Sequence, residues 1–185
     1  MSFLSNLFYN IAINPFMILL NSIKIFNKKA KLVILGLDNS GKTTLMGMLA
    51  NDRIQTHHPT SHPNKEEIKI GNVIFNTYDL GGHVAARRLW KQYLHNIDAI
   101  VFVVDSSDHT RIYETKEELD KIISEIDVPI LILGNKIDKH NAYCDFDLKN
   151  ILGINDTNSR VKLFMCSVIK RFRITEGFNW LSEQI

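Results

Sequence analysis

Lys31-Leu32-Val33-Ile34-Leu35-Gly36-Leu37-Asp38-Asn39-Ser40-Gly41-Lys42-Thr43-Thr44 is the stretch that decides the fold. Lys31–Leu35 is a short apolar run that stops at a glycine, the pattern of a buried strand. A helical pattern begins at Thr43 and runs to Leu49. Between them, Gly36 to Thr43 has the form G-x-x-x-x-G-K-T, in the strand–loop–helix setting that this motif requires. Glycine lets the backbone curl until successive N–H groups face phosphate oxygens. The helix N-terminus behind the loop favours the same anion. Asp38, Asn39, Ser40, Gly41, Lys42, Thr43 and Thr44 are therefore the expected phosphate site, with Lys42 bridging the β- and γ-phosphates and the Thr43 hydroxyl on Mg²⁺.

Outward from this loop, the chain alternates strand and helix patterns. Ile68–Ile70 and Val73–Tyr78 flank Gly71-Asn72, a hairpin-type turn. Ala99–Val104, Ile130–Leu133 and Val161–Met165 are apolar runs of strand length. Helices are expected over Thr110–Ile126, Asp147–Leu152 and Thr175–Ile185, the last with Phe178, Trp180 and Leu181 facing the core. Fully apolar strands separated by helices imply an α/β fold: a mostly parallel sheet with helices on both faces and one antiparallel edge hairpin. Ligands of such sheets sit at the carboxyl ends of the strands.

Those ends carry nucleotide chemistry. Asp79-Leu80-Gly81-Gly82-His83 closes the hairpin's outgoing strand. Asp79 can hold Mg²⁺ through water, and Gly82 can offer its N–H to a γ-phosphate. Asn135-Lys136-Ile137-Asp138 follows the strand at Ile130–Leu133 and selects the base. Guanine presents N1–H and a 2-amino group side by side, two donors that match the Asp138 carboxylate; adenine offers an acceptor at N1 and no amino group. A buried polar match of this kind discriminates by about 10⁴–10⁵. Asn135 can bond the base and brace the phosphate loop, while the stem of Lys136 covers a ring face. Cys166-Ser167-Val168 follows the last strand, where a backbone N–H of Ser167 or Val168 can reach the guanine carbonyl. Between the first two motifs, Thr56–Lys65 supplies a hydroxyl that completes the Mg²⁺ shell when a γ-phosphate is present; by chemistry alone Thr56, Thr60 and Ser61 are rivals. His57, His58 and His62 in that loop read as exposed residues rather than a metal site.

The 185 residues suffice for one domain with a short appendage, and a 45% hydrophobic, 23% charged composition excludes disorder over most of the length. A net charge of +2 lacks the basic excess of a nucleic-acid binder. Cys144 and Cys166 form no disulfide framework and no zinc spacing.

The first stretch, 1–29, stands apart from the domain at 30–185. From Ser2 to Ile23 it has no charged side chain, and then Lys24, Lys28, Lys29 and Lys31 arrive together. Phe3, Leu4, Leu7, Phe8 and Ile11 share one helical face, opposite Ser2, Ser5, Asn6 and Asn10. Pro15 breaks the pattern, and Phe16, Leu19, Leu20 and Ile23 restart it. A secretory signal or a spanning helix does not fit, and Ser2 excludes N-myristoylation. Two readings remain, a helix packed on its own domain and an interfacial membrane helix with a basic edge; a switch can alternate between them.

These motifs resemble those of small GTPases of the Ras superfamily, and within them the Sar type, which starts COPII coat assembly at the endoplasmic reticulum. The matching stretches are GLDNSGKTTL (36–45), HPTSHP (58–63), DLGGH with ARR after it (79–88), KEELD (116–120), PILILGNKID (129–138), FMCSV (164–168) and EGFNWL (176–181). His83, the absence of glycine at position 2 and the Phe-rich N-terminal stretch favour Sar over the myristoylated Arf relatives. The resemblance implies that Thr60 is the switch threonine on Mg²⁺ and that His83 stands where most small GTPases orient water with glutamine. It implies GTP and GDP as ligands, with slow turnover unless an activator contributes. The implied partners are the COPII inner coat subunits, as activator and effector, and a membrane exchange factor of the endoplasmic reticulum. The implied location is the cytoplasmic face of that membrane, cycling with cytosol, with the Golgi as a second membrane. The connection Ile126–Pro129 and the stretch Lys139–Arg160 are short for this pattern, and the segment before the first strand is long.

Overall fold

The computed structural model describes residues 28–51, 64–70, 73–155 and 157–185. In chain order the elements are β1 (Lys28–Leu35), α1 (Lys42–Asn51), β2 (Asn64–Ile70), β3 (Val73–Asp79), α2 (Val84–Arg87), α3 (Trp90–Tyr93), β4 (Ala99–Asp105), α4 (Ile112–Glu125), β5 (Ile130–Asn135), α5 (Asp145–Leu152), β6 (Val161–Met165) and α6 (Ile174–Gln184). The strands form one sheet in the order β2-β3-β1-β4-β5-β6, antiparallel only between β2 and β3. This is the α/β sheet with one antiparallel edge that the sequence implies.

β4 and β5 are almost wholly apolar because both faces of the sheet are covered. On one face Leu45 and Met46 of α1 and Ile174, Phe178 and Leu181 of α6 pack on Leu32, Ile34, Phe75 and Val101. On the other, Trp90, Ile112, Leu119 and Ile122 join Leu148 and Leu152 of α5 against Val33, Phe102 and Ile132. The register aligns the strand ends: Ile34 pairs with Asp79, Asp105 with Asn135, and Gly134 with Met165. The loops after β1, β3, β5 and β6 therefore emerge along one edge, and β1 sits centrally with chain crossing to both sides of it, the place where such sheets hold ligands.

Several boundaries differ from the sequence patterns. β1 starts at Lys28 rather than Lys31, so Lys28 and Lys29 pair with Val73 and Ile74. β2 starts at Asn64 rather than Ile68. Its Asn64–Glu67 portion is polar and exposed, but an edge strand takes its order from the ladder with β3, whatever faces water. α5 begins at Asp145, two residues before the expected Asp147, because Cys144 Sγ caps it by accepting from the Asp147 amide at 3.4 Å. It ends at Gly153, whose φ of 71° closes the helix in the left-handed conformation. The short Ile126–Pro129 connection is held from outside: the Arg160 guanidinium donates to the carbonyls of Ile126 and Ile123 at the end of α4.

The stretch 1–27, the loop 52–63 and the Gly71-Asn72 turn lie outside the described residues. Among the described residues no helix is long and apolar enough to cross a membrane.

Candidate nucleotide-binding site

The loop after β1 curls as the motif demands. Asn39 has φ 62° and Gly41 φ 102°, and a Cβ on Gly41 would lie 2.4 Å from Asn135 Nδ2, so glycine is required there by conformation and by space. Lys42 is only 5% exposed, and its ammonium donates to the Leu37 carbonyl at 2.8 Å, which folds the side chain back over its own loop. Burial pulls its pKa down to about 8, with Asp79 and Asp38 opposing the shift. A phosphate beside Lys42 supplies the counter-charge that this ammonium is poised to use.

Thr43 Oγ1 donates to Asp79 Oδ2 at 2.7 Å, and Asp79 is fully buried. A hydroxyl and a carboxylate held together at the base of the loop are hard oxygen donors of the kind Mg²⁺ takes, and their chemistry fits that ion. Beyond Asp79 the chain passes against the phosphate loop: a Cβ on Gly82 would come within 2.2 Å of the Asp38 nitrogen. His83 caps α2, its Nδ1 accepting from the Ala86 amide at 2.9 Å. In the neutral ring the proton therefore sits on Nε2. Trp90 Nε1 donates to the Gly81 carbonyl at 3.0 Å, and Arg87 Nε to the Gly82 carbonyl at 2.7 Å.

At the end of β5, Asn135 Nδ2 donates to the Ser40 carbonyl at 2.8 Å, while its Oδ1 accepts from the Val168 amide at 3.0 Å. One buried side chain thus ties three loops together. Lys136 takes φ 69°, and its ammonium bonds Asp105 Oδ2 at 2.6 Å. Burial raises the Asp105 carboxyl, but hydrogen bonds from Lys136 and Ser107 outweigh it and hold the group below its ordinary range. Ser167 donates its hydroxyl to Asp138 Oδ1, leaving the other carboxylate oxygen open to a ligand. The Ser167 amide donates to the Phe172 carbonyl at 3.1 Å.

Residues 16–185 match the model of the ADP-ribosylation factor family. The chain belongs to the ADP-ribosylation factor family. It is 41% identical to the small COPII coat GTPase SAR1 of Giardia intestinalis, over 90% of this chain and 95% of that protein. It is 44% identical to the small COPII coat GTPase SAR1B of Dictyostelium discoideum, over 85% of this chain and 88% of that protein. Among solved structures, the Arl6 BBS3 small GTPase from Trypanosoma brucei, with its bound nucleotide analogue GppNp, superposes with a TM-score of 0.76 at 34% identity, covering 84% of this chain and 96% of that one.

In this family member the fold gathers the phosphate loop, Asp79, Gly82, His83, Asn135, Lys136, Asp138, Ser167 and Val168 along one edge of the sheet. The amides of Ser167 and Val168 are engaged by Phe172 and Asn135. Thr56, Thr60 and Ser61 lie outside the described residues. Sequence reading missed a set of charges beside the site. Arg111 bonds Asp38 Oδ1 at 2.9 Å and Glu114 Oε2 at 2.8 Å, and Glu114 Oε1 in turn takes Arg87 at 2.6 Å. The Arg111 hydrogen bond holds the Asp38 carboxyl below its ordinary range, and Arg111 with Arg87 does the same to Glu114. The only sequence signal was Arg87 and Arg88 following His83; Arg111 precedes α4 and Glu114 lies in its first turn, far along the chain from both Arg87 and Asp38.

Proposed function

We propose that this chain is a Sar-type molecular switch that binds GTP, recruits the COPII coat to endoplasmic reticulum membrane for transport toward the Golgi, and resets by hydrolysis. The single observation that carries it is the Asn135 clamp. It ties the loop presenting the Asp138 carboxylate to the phosphate loop, so that one ligand with guanine at one end and phosphates at the other spans both. The 41–44% identity to coat GTPases of distant organisms supports the Sar reading over another family branch.

The chain is a GTPase, and its own residues perform mainly positioning work, since phosphoryl transfer asks little covalent chemistry of the protein. The Gly36–Thr43 loop and Lys42 hold the phosphates. Gly82 senses the γ-phosphate, and His83 orients the attacking water through Nε2–H. Asp138 reads guanine while Asn135 keeps the two loops in register. Mg²⁺ held by Thr43 and Thr60, with Asp79 through water, would neutralise charge between the β- and γ-phosphates. Neither the phosphate loop nor the Thr56–Lys65 loop carries an arginine, and Arg87 and Arg88 follow His83 at the end of the next helix. An activator arginine, worth about 10³–10⁵ in rate, is therefore expected from the COPII inner coat, which also serves as effector. Exchange falls to a membrane factor of the endoplasmic reticulum, and the segment before β1, with the exposed Lys28 and Lys29 that open that strand, provides the membrane contact.

The test is recruitment of COPII inner coat to liposomes by the full chain loaded with GDP or a non-hydrolysable GTP analogue. Coat binding is expected only with the analogue, and Thr43→Asn, whose amide is a poor Mg²⁺ ligand, should abolish it while GDP binding survives. Coat binding that is absent in both states overturns the COPII reading and leaves the alternative, an Arf-like GTPase acting at another membrane.

A further inference from the structure

Gly82 lies between two peptide groups, and both are held. The Trp90 indole N–H takes the Gly81 carbonyl at 3.0 Å. The peptide is planar and trans, so this bond also sets the direction of the Gly82 N–H. Arg87 Nε takes the Gly82 carbonyl at 2.7 Å and so fixes the peptide that leads into His83. The two groups that sense the γ-phosphate and orient the water are thus aimed by side chains from α2 and α3.

Arg87 is itself anchored. Its side chain is 9% exposed, and its remaining nitrogens reach Glu114 at 2.6 Å and Glu118 at 3.5 Å. Glu114 uses its two oxygens on two arginines, Arg87 and Arg111. Arg111 reaches on to Asp38, inside the phosphate loop. Charge-assisted, forked bonds of this kind fix orientation as well as distance. The path Asp38–Arg111–Glu114–Arg87–Gly82 is continuous, with steps of 2.6–2.9 Å. We propose that Arg111, Glu114 and Arg87 are positioning residues for GTP hydrolysis: an ionic relay that couples the phosphate loop to the Gly82–His83 segment and holds that segment ready for a triphosphate.

The relay rests on the reading of Gly82 as the γ-phosphate sensor. Glu114, on α4, is none of the expected phosphate or base contacts, so weakening the relay there, with Asp38 and its loop unaltered, should spare GDP and penalise the triphosphate state. The deciding variant is Glu114→Gln, which keeps shape and removes the charge shared by the two arginines. Affinities for GDP and for a non-hydrolysable GTP analogue, and single-turnover GTP hydrolysis, are measured on the full chain. GDP affinity is expected within twofold of the unaltered protein, the preference for the analogue over GDP down at least tenfold, and hydrolysis at least tenfold slower. Arg111→Lys, which keeps the charge but cannot span Asp38 and Glu114 together, should follow the same pattern and serves if Glu114→Gln does not fold. Preference and rate both within threefold of the unaltered protein overturn the relay. Equal losses for GDP and the analogue also overturn it, because they mark a merely structural role. Trp90→Phe, which removes the indole N–H that aims the Gly82 peptide and, unlike a Cβ on Gly82, adds no atom against the phosphate-loop backbone, is measured alongside and separates the two readings. If it loses the analogue preference while Glu114→Gln keeps it, only the relay fails; if it keeps the preference, the Gly82 reading fails and takes the relay with it.

Discussion

The side-chain nitrogen of Asn135, at the end of β5, lies 2.8 Å from the carbonyl oxygen of Ser40 in the phosphate loop, and the Asn135 side-chain oxygen accepts from Val168. Asn135→Ala would leave a buried carbonyl and a buried amide without these partners, at about 1–3 kcal/mol for each unsatisfied group. The clamp serves base and phosphate alike and does not touch the γ-phosphate. GDP and a GTP analogue should therefore both be released at least tenfold faster, with a lowered melting temperature. Release of a fluorescent GDP measures this; an unchanged off-rate would remove the clamp from nucleotide binding.

Base choice rests on Asp138, whose carboxylate is oriented by the Ser167 hydroxyl. Asp138→Asn exchanges an acceptor for a donor on the side that faces the base. Xanthine has a carbonyl where guanine has its amino group, so the variant should shift preference from GTP toward xanthosine triphosphate. Competition between the two triphosphates reads the shift, and full retention of GTP preference would show that another group reads the base.

His83 has two jobs that one variant can separate. As the cap of α2 it can be replaced by glycine at a cost of only a few tenths of a kcal/mol. As the group that orients water it has no substitute nearby. His83→Gly should keep near-normal GTP binding and melting temperature but lose about 10²-fold in activator-stimulated hydrolysis, the scale of a misplaced reacting group. Unchanged stimulated hydrolysis takes His83 out of the mechanism.

Lys42 gives a pH dependence with a definite sign. Burial lowers its pKa to about 8 in the polypeptide alone, and bound phosphates raise it again. Above about pH 8 the free protein has lost the proton that the complex keeps, so binding must take one up. Nucleotide affinity should then fall as pH rises, by about tenfold between pH 7 and 9. Lys42→Arg, whose charge does not titrate there, should lack this component; guanine's own ionisation is common to both proteins. Parallel pH profiles for the two would refute the assignment.

The phosphate loop and the base motif were legible in the sequence because their geometry is local: Gly41 needs its φ of 102° within one turn of chain. The polar start of β2 was not, since Asn64–Glu67 is ordered by its ladder with β3 and carries no alternation of its own. The relay was hidden for a related reason. Asp38 and Arg111 meet across 73 residues, and nothing near either marks the pairing. Thr56, Thr60 and Ser61 are equal as hydroxyls, so only resemblance chose Thr60.

The N-terminal stretch yields the last prediction. A groove of about 400 Å³ runs between α1, β2 and α6, lined by Met48, Leu49, Ile70, Ile174 and Phe178, with Lys69 and Arg171 also on its wall. Ile70 pairs with Val73, and Val73 with Lys28, so the chain enters the sheet in register with the groove's β2 wall. Phe3, Leu4, Leu7, Phe8 and Ile11 would each gain up to roughly 1.5–3 kcal/mol on full burial, an upper bound because ordering the helix costs entropy. The groove and a bilayer offer that gain in competition, and Lys24, Lys28 and Lys29 add about 1 kcal/mol each at an anionic surface. β2 and β3 join the Thr60 loop to the Asp79 loop, so a shift of this hairpin on GTP binding can close the groove and release the segment. Release requires that the segment bind the two nucleotide states differently. Co-flotation with anionic liposomes should therefore be stronger with a non-hydrolysable GTP analogue than with GDP, and deleting residues 2–14 should abolish the difference while nucleotide binding stays intact. Ile70→Glu, which places a charge in the groove, should raise flotation in the GDP state toward the GTP level. Flotation that is equal in both states for the unaltered chain would leave a constitutive anchor, or a helix that never leaves its domain, and no switch.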